Sequence, residues 1–251
     1  MLALITGASS GIGREFAKLL SNKGYDLIIV ARREAALRDL ASELKTNVRI
    51  ITTDLSLRQK CIDLHETLKD ENIDIFINNA GFGVFGEFDK TSLEDELTMI
   101  DTNVTAMHIL CKLFLIDFKK RNNGYILNTA SLAALVPGGP IFSAYYATKS
   151  YVHSLTLGIY EELRREKSNV HISVLCPGPV STEFEKVANV SFAGFGANAK
   201  DVAEYAYKQM MRKKLVIVPS FIMKFLKPLS RFVTDKTVLK IVYNIQNSKM
   251  R

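Results

Sequence analysis

Tyr145 and Lys149 stand four residues apart in Ala144-Tyr145-Tyr146-Ala147-Thr148-Lys149, and on a helix that spacing puts both side chains on one face, a turn apart. A free phenol has a pKa of about 10 and is a poor base near neutrality, but a neighbouring ammonium favours its ionised form. Such a pair can trade a proton with an oxygen. Ser131, just past the apolar run Tyr125 to Asn128, adds a hydroxyl that can donate a hydrogen bond to an oxygen on which negative charge builds. Tyr146 lies three residues before Lys149 and could share the same face, so spacing alone leaves two candidate phenols.

A second constellation is Thr6-Gly7-Ala8-Ser9-Ser10-Gly11-Ile12-Gly13, between the first apolar run and the first helix-period stretch. Glycines in that place let a phosphate approach the backbone, and the amides of a helix start face the anion. Taken alone, the GxxxGxG spacing also suits an ordinary tight turn. After the next apolar run, a dinucleotide site that prefers NAD places an acid to bind the ribose 2′-hydroxyl, and here Ala31-Arg32-Arg33 stands instead. Arg32 has the charge and planar donors for a 2′-phosphate, with Arg33 beside it, so the expected cofactor is NADP(H). The same arginines would otherwise serve a solvated helix start. His65, His108, His153 and His171 lack metal-ligand spacing, so no metal is expected, and no lysine follows the glycines as an ATPase loop requires.

The elements that must hold these groups alternate. Apolar runs at Leu2 to Ile5, Asp26 to Val30, Val48 to Thr52, Ile73 to Ile77, Tyr125 to Asn128, His171 to Leu175 and Leu215 to Val218 read as seven strands buried on both faces. Between them, Arg14 to Asn22, Glu34 to Leu44, Leu93 to Lys120, Ala144 to Lys167 and Lys200 to Arg212 have helical length and period. This predicts an α/β chain: a doubly wound Rossmann fold with a mostly parallel seven-stranded sheet flanked by helices, and ligand at the carboxyl ends of the strands. Val180 to Ala199, rich in Gly, Ser, Asn and Phe, has no clear period and is expected to be a mobile loop.

In order along the chain, TGASSGIG at 6 to 13, Asp54-Leu55, Asn78-Asn79-Ala80-Gly81, Asn103, Ser131, Tyr145 with Lys149, and Pro177-Gly178 followed by Thr182 resemble the short-chain dehydrogenase/reductase family over about residues 1 to 219. The resemblance implies hydride transfer between NADP(H) and a small-molecule carbonyl or alcohol, the hydride chemistry belonging to the cofactor. It implies that Tyr145, followed by Ala147-Thr148-Lys149, is the proton donor or acceptor rather than Tyr146. Asn103 would hold a water linking Lys149 to solvent. Asp54 and Leu55 would border the adenine, and Asn79, Ala80 and Gly81 the ribose. Pro177, Gly178 and Val180 would contact the nicotinamide, with Thr182 bonding its carboxamide. Family members of this kind associate as homodimers or homotetramers through helices corresponding to Leu93 to Lys120 and Ala144 to Lys167. Two other readings stand beside a carbonyl reductase: a 3-oxoacyl-thioester reductase of lipid metabolism, and a dinucleotide sensor without turnover, for which a proton relay would be superfluous.

Composition is consistent with this. At 251 residues, 47% hydrophobic and 24% charged, the chain has ordinary globular content. Leu2 to Ile5 is too short for the apolar part of a signal peptide, so a cytoplasmic protein is expected. Cys61, Cys111 and Cys176 form no CxxC pair and read as buried thiols. Of the net charge of +7, residues 212 to 251 carry ten Lys or Arg against Asp235 alone, hence +9, which leaves −2 for the rest. Residues 1 to 219 are expected to form the catalytic part, and 220 to 251 a basic amphipathic helical extension of the same domain. This extension resembles that of the DltE-like, steroid and acyl-chain reductases. It could close the pocket, form a subunit interface, or lie on an anionic membrane surface. Pro219, Pro228 and the lysines interrupt it too often for a span, and no nucleic-acid recognition motif accompanies its charge. Leu135, Val136, Ile141 and Phe142, with Phe184, Val187, Val190, Phe192 and Phe195 of the loop, would give the substrate an apolar lining.

Overall fold

The computed structural model describes residues 1–183, 196–219 and 233–248. The five loop residues Phe184, Val187, Val190, Phe192 and Phe195, and the extension over 220–232 and 249–251, lie outside the described residues.

Seven strands form one sheet in the order β3-β2-β1-β4-β5-β6-β7: β1 Leu2–Thr6, β2 Asp26–Ala31, β3 Val48–Thr52, β4 Ile73–Asn78, β5 Gly124–Thr129, β6 Val170–Leu175 and β7 Val216–Ile217. Every pairing is parallel. Side chains that alternate along a strand therefore enter different layers. In β1, Ala3 and Ile5 join Phe16, Leu20, Leu37, Leu40, Val202 and Met210, from α1 (Gly11–Asn22), α2 (Glu34–Glu43) and α7 (Ala199–Met211) in the chain-order labels used here. Leu4 points the other way, toward Leu64, Phe114, Phe118, Val152 and Leu163, from α3 (Arg58–Leu68), α5 (Met107–Arg121) and α6 (Ser143–Arg165). Burying the largest of these side chains stabilises the fold by roughly 1.5–3 kcal/mol each.

The helix α3 falls outside the five helical stretches read from the sequence. Its inward residues Cys61, Leu64, His65 and Leu68 are few and one is polar, so its amphipathic signal is weak. His65 is held inside by Asp117, with Nε2 and Oδ2 2.6 Å apart, and its ring lies edge-on to Phe114. The long stretch expected at Leu93 to Lys120 is helical over Leu93–Arg121, but it comprises α4 (Leu93–Ile100), a π turn (Asp101–Ala106) and α5. Its apolar length would suit a membrane span by composition; here Met99, Leu110, Phe114 and Phe118 are buried in the protein core.

The middle of the sheet carries a buried polar chain. Asn78 Nδ2 donates to Met107 O at 3.0 Å and to Asn128 Oδ1 at 3.2 Å, Asn128 Nδ2 donates to Thr156 Oγ1 at 3.0 Å, and Thr156 donates to Val152 O at 2.8 Å. Strands β4 and β5 are thereby tied to α5 and α6, just below the strand ends that carry the site. Because an unmade buried hydrogen bond costs the full desolvation of the stranded group, Asn128→Leu should lower unfolding free energy by about 2 kcal/mol in urea titration without changing the slope.

Candidate active site

The chain leaves β1 for one side of the sheet and β4 for the other, so a crevice opens between their carboxyl ends, where doubly wound sheets bind ligands. Thr6, at the end of β1, holds it in shape: its Oγ1 accepts from Asn79 N at 2.9 Å and Ala80 N at 3.1 Å, while Asn79 Nδ2 donates to Thr6 O at 3.2 Å. Gly7 has φ +67, and a Cβ there would lie 2.9 Å from Ala80 Cα; one on Gly13 would collide with Gly7 O. Both positions therefore demand glycine. Ser10 caps α1 without a side-chain hydrogen bond, and no acid occupies the first turn, so the first amides of the helix are left for an anion.

A cleft of about 440 Å³ runs from here across the strand ends. It is lined by Gly7, Ser9, Ser10, Gly11, Ile12, Arg32, Arg33, Asp54, Leu55, Asn79, Ala80, Gly81, Ser131, Tyr145, Lys149, Pro177, Gly178, Val180 and Thr182, which gathers nearly every candidate read from the sequence. Gly13 stands behind the turn, and Asn103 is 1% exposed in the π turn. Asn103 Nδ2 donates to Phe82 O at 2.8 Å and Thr148 Oγ1 at 3.1 Å, and its Oδ1 accepts from Phe82 N. A Cβ on Gly81 would meet Asn103 Oδ1 at 2.7 Å and Lys149 Nζ at 3.2 Å, so this glycine lets the two groups converge. Leu135, Val136 and Ile141 do not line the cleft, whereas Phe142 does.

The two arginines differ. Arg33 donates to Ser9 Oγ at 3.3 Å and to Glu183 Oε2 at 2.6 Å, a half-exposed pair joining β2 to the loop after β6. Arg32 is exposed and makes no side-chain bond to the described residues. Asp54 Oδ1 accepts from Ser56 N at 3.0 Å and Ser56 Oγ at 2.9 Å, which fixes its carboxylate. Thr182 packs its methyl against Gly11, and the start of the loop expected to be mobile is anchored by Ser181 N to Ala197 O at 3.1 Å and Ala197 N to Pro179 O at 2.9 Å.

Tyr145 and Tyr146 point to different partners. The Tyr145 hydroxyl is hydrogen-bonded to Ser131, and burial pushes its pKa up to about 12, with the Ser131 bond opposing. Its ring stacks on Phe142, centroids 4.3 Å apart. Tyr146 Oη instead accepts from Gln246 Nε2 at 2.5 Å, on α8 (Asp235–Asn247). That helix roofs the cleft: Gln246 is buried and lines it, and Leu239 lies 3.2 Å from where a Cβ on Gly138 would be. Its outer side exposes Ile241, Tyr243 and Ile245. Lys149 is 4% exposed, donates to Thr129 O at 3.1 Å, and sits 5.8 Å from the Tyr145 ring centre. Burial brings its pKa down to about 8. Desolvation thus dominates the phenol here, outweighing the lowering that the four-residue spacing suggests.

Sequence comparison fits this geometry. Residues 1–191 match the short chain dehydrogenase family. The protein is a short chain dehydrogenase. This dehydrogenase is 34% identical over 206 residues to the NADP-dependent 3-hydroxy acid dehydrogenase YdfG of Escherichia coli strain K12, covering 80% of each chain. It superposes with a TM-score of 0.83 on a short-chain dehydrogenase from Sphingobium yanoikuyae in complex with NADPH, at 27% identity and covering 92% of this chain and 94% of that one. A Burkholderia phymatum short chain dehydrogenase/reductase in complex with NAD gives 0.83 at 26% identity, covering 91% and 92%. The dehydrogenase is accordingly an oxidoreductase acting between CH–OH and C=O. Sequence reading missed Thr6, Tyr146's role in the wall and Gln246; Thr6 was signalled by its place before Gly7, Gln246 by nothing local.

The buried lysine makes a stability test. The unfolded chain keeps the Lys149 proton up to its ordinary pKa near 10.5, the folded one only to about 8, so folding stability gains with pH between those values and carries the full cost below them. Lys149→Met should therefore raise stability at pH 7 by about 2 kcal/mol, after loss of the Thr129 hydrogen bond is set against the relieved charge. In thermal unfolding, that advantage should shrink steadily from pH 8 to pH 10.

Proposed function

We propose that this dehydrogenase moves a hydride between NADP(H) and a carbonyl or alcohol of apolar character, with Tyr145 as general acid and base. The observation that carries the proposal is the Tyr145–Ser131 hydrogen bond above the buried Lys149, inside a cleft whose far end is the glycine turn. The residues fit the cofactor. Gly7 and Gly13 let the turn close against Ala80 and on itself without a side chain in the way, the uncapped α1 amides would face an anion, and Arg32 after β2 would offer a guanidinium to a 2′-phosphate. Gly11, Ile12, Ser9 and Ser10 would hold the diphosphate, Asp54 and Leu55 the adenine, Asn79, Ala80 and Gly81 the ribose, and Pro177, Gly178, Val180 and Thr182 the nicotinamide. An NADP-dependent relative and a relative in complex with NADPH support the choice.

The chemistry that NADPH would supply when bound is hydride donation. The chain supplies the proton and its placement. Ser131 donates to the substrate oxygen as charge gathers on it. Tyr145, protonated at neutral pH because its pKa is held near 12, passes its proton to that oxygen. Lys149, cationic below its pKa of about 8, stabilises the phenolate left behind. Asn103 and Lys149 both abut Gly81, which supports a water held between Asn103 and the lysine as the way the proton is replaced. Phe142 and Leu132 give the substrate side an apolar face. Exposed Leu97, Ile116 and Tyr151, on the α4–α5 stretch and α6, would suit pairing of two copies.

Three measurements test this reading. Tyr145→Phe should abolish NADPH oxidation with aldehydes and ketones while NADPH titration by fluorescence stays within about twofold; retained turnover would remove Tyr145 from the chemistry. Carbonyl reduction by the wild type should be flat at neutral pH and fall as pH rises through about 8, where Lys149 loses its proton. Arg32→Asp should weaken NADPH relative to NADH by at least about tenfold in kcat/KM, and an unchanged ratio would refute the 2′-phosphate contact.

A further inference from the structure

The catalytic helix presents two adjacent phenols to one cleft, and the proposed chemistry uses only Tyr145. Tyr146 is also in the cleft wall, its ring 6.4 Å from that of Tyr145 at an interplanar angle of 74°. Gln246 reaches it from α8, a hundred residues on, and donates to its oxygen at 2.5 Å. A phenol that accepts from an amide keeps its own proton to donate. The Gln246 bond thereby fixes which way Tyr146 offers that proton, and Gly139 leaves the space the ring occupies, because a Cβ there would run into it.

We propose that Tyr146, oriented by Gln246, is a substrate-specificity residue that donates to a second, neutral oxygen of the substrate close to the carbonyl being reduced. This rests on the reductase reading and names its substrate class: a carbonyl compound with a nearby ester, ketone or hydroxyl oxygen on an otherwise apolar body. A phenol and a carboxamide are neutral donors, and a buried neutral donor serves a neutral acceptor at less desolvation cost than a carboxylate. Among the described residues, the cations lining the cleft are Arg32 and Arg33 at the β2 end and Lys149 beneath Tyr145. Lys149 is buried and turned to Thr129 O, and Arg33 is taken up by Glu183 and Ser9. Ser131 is engaged with Tyr145, and Phe142 and Ala133, packed with the two phenols, are apolar, so a second oxygen on the substrate meets Tyr146 and Gln246 on the α8 side of the cleft.

The test compares kcat and KM with NADPH for ethyl acetoacetate, free acetoacetate and methyl butyl ketone, in the full-length wild type, Tyr146→Phe and Gln246→Leu. The wild type should favour the ester over both others. Each variant should lose about tenfold of its preference for the ester over the plain ketone, chiefly through KM, as when a hydrogen bond to a substrate oxygen is deleted. NADPH affinity, titrated by fluorescence, reports whether the fold and cofactor site persist. Equal losses on ester and ketone, or a wild type that prefers the carboxylate, would overturn this proposal and leave the reductase reading standing. A wild type that oxidises NADPH with none of the three and with no other carbonyl compound would bring down both.

Discussion

An ammonium taken out of water is the constraint around which this site is organised. Lys149 has almost no exposure, and its surroundings compensate only in part: one backbone carbonyl from the end of β5, the face of the Tyr145 ring, and the flank of Gly81. Desolvation wins, which is why its proton is held so loosely. The neighbouring features read as means to keep the charge there. Asn103 needs a π turn to bring its amide onto the Phe82 peptide and Thr148, and insertions of this kind recur at functional sites. Gly81 needs to be glycine so that Asn103 and Lys149 can approach one another. The Asn78–Asn128–Thr156 chain locks α5 and α6 onto the strands whose ends border the cleft.

Much of this is legible in the order of the amino acids alone, for a physical reason. Parallel strands covered on both sides must be continuously apolar, so seven such runs locate the sheet to within a residue or two, β7 among them, one residue shorter at each end than Leu215 to Val218. Glycines at the turn and the four-residue Tyr145–Lys149 spacing are local geometry, and local geometry survives translation into sequence. What escapes is either weakly amphipathic or long-range. Arg58–Leu68 buries a histidine that Asp117, on another helix, pairs with at 2.6 Å. The π turn leaves no periodic mark within six residues. The choice between Tyr145 and Tyr146 depends on partners 14 and 100 positions away, Ser131 and Gln246, and helical spacing cannot supply it.

Arg32 and Arg33 show how neighbouring residues of one type can diverge in role. Both lie at the β2 edge of the cleft, yet Arg33 spans to Glu183 and Ser9, linking the glycine turn to the loop after β6, while Arg32 extends outward from the same edge. The exposed ion pair contributes little stability on its own. Its value is geometric, since it brings together two segments that both border the cleft. Ile141 makes a comparable use of strain: a β-branched residue at φ +66 is costly, and its carbonyl accepts from Gly86 N at 2.8 Å, fixing the approach of the chain to Phe142 and the two tyrosines.

The roof over the cleft has a consequence for how the protein comes into being. As the chain emerges from the ribosome, strands β1 to β7 and the tyrosine–lysine helix are all made before α8 exists. An incomplete chain can therefore possess the glycine turn, Arg32 and Arg33, and Tyr145 with Lys149, and still lack the wall from which Gln246 reaches Tyr146. The glycine end of the cleft and its α8 wall are thus acquired at separate moments of synthesis.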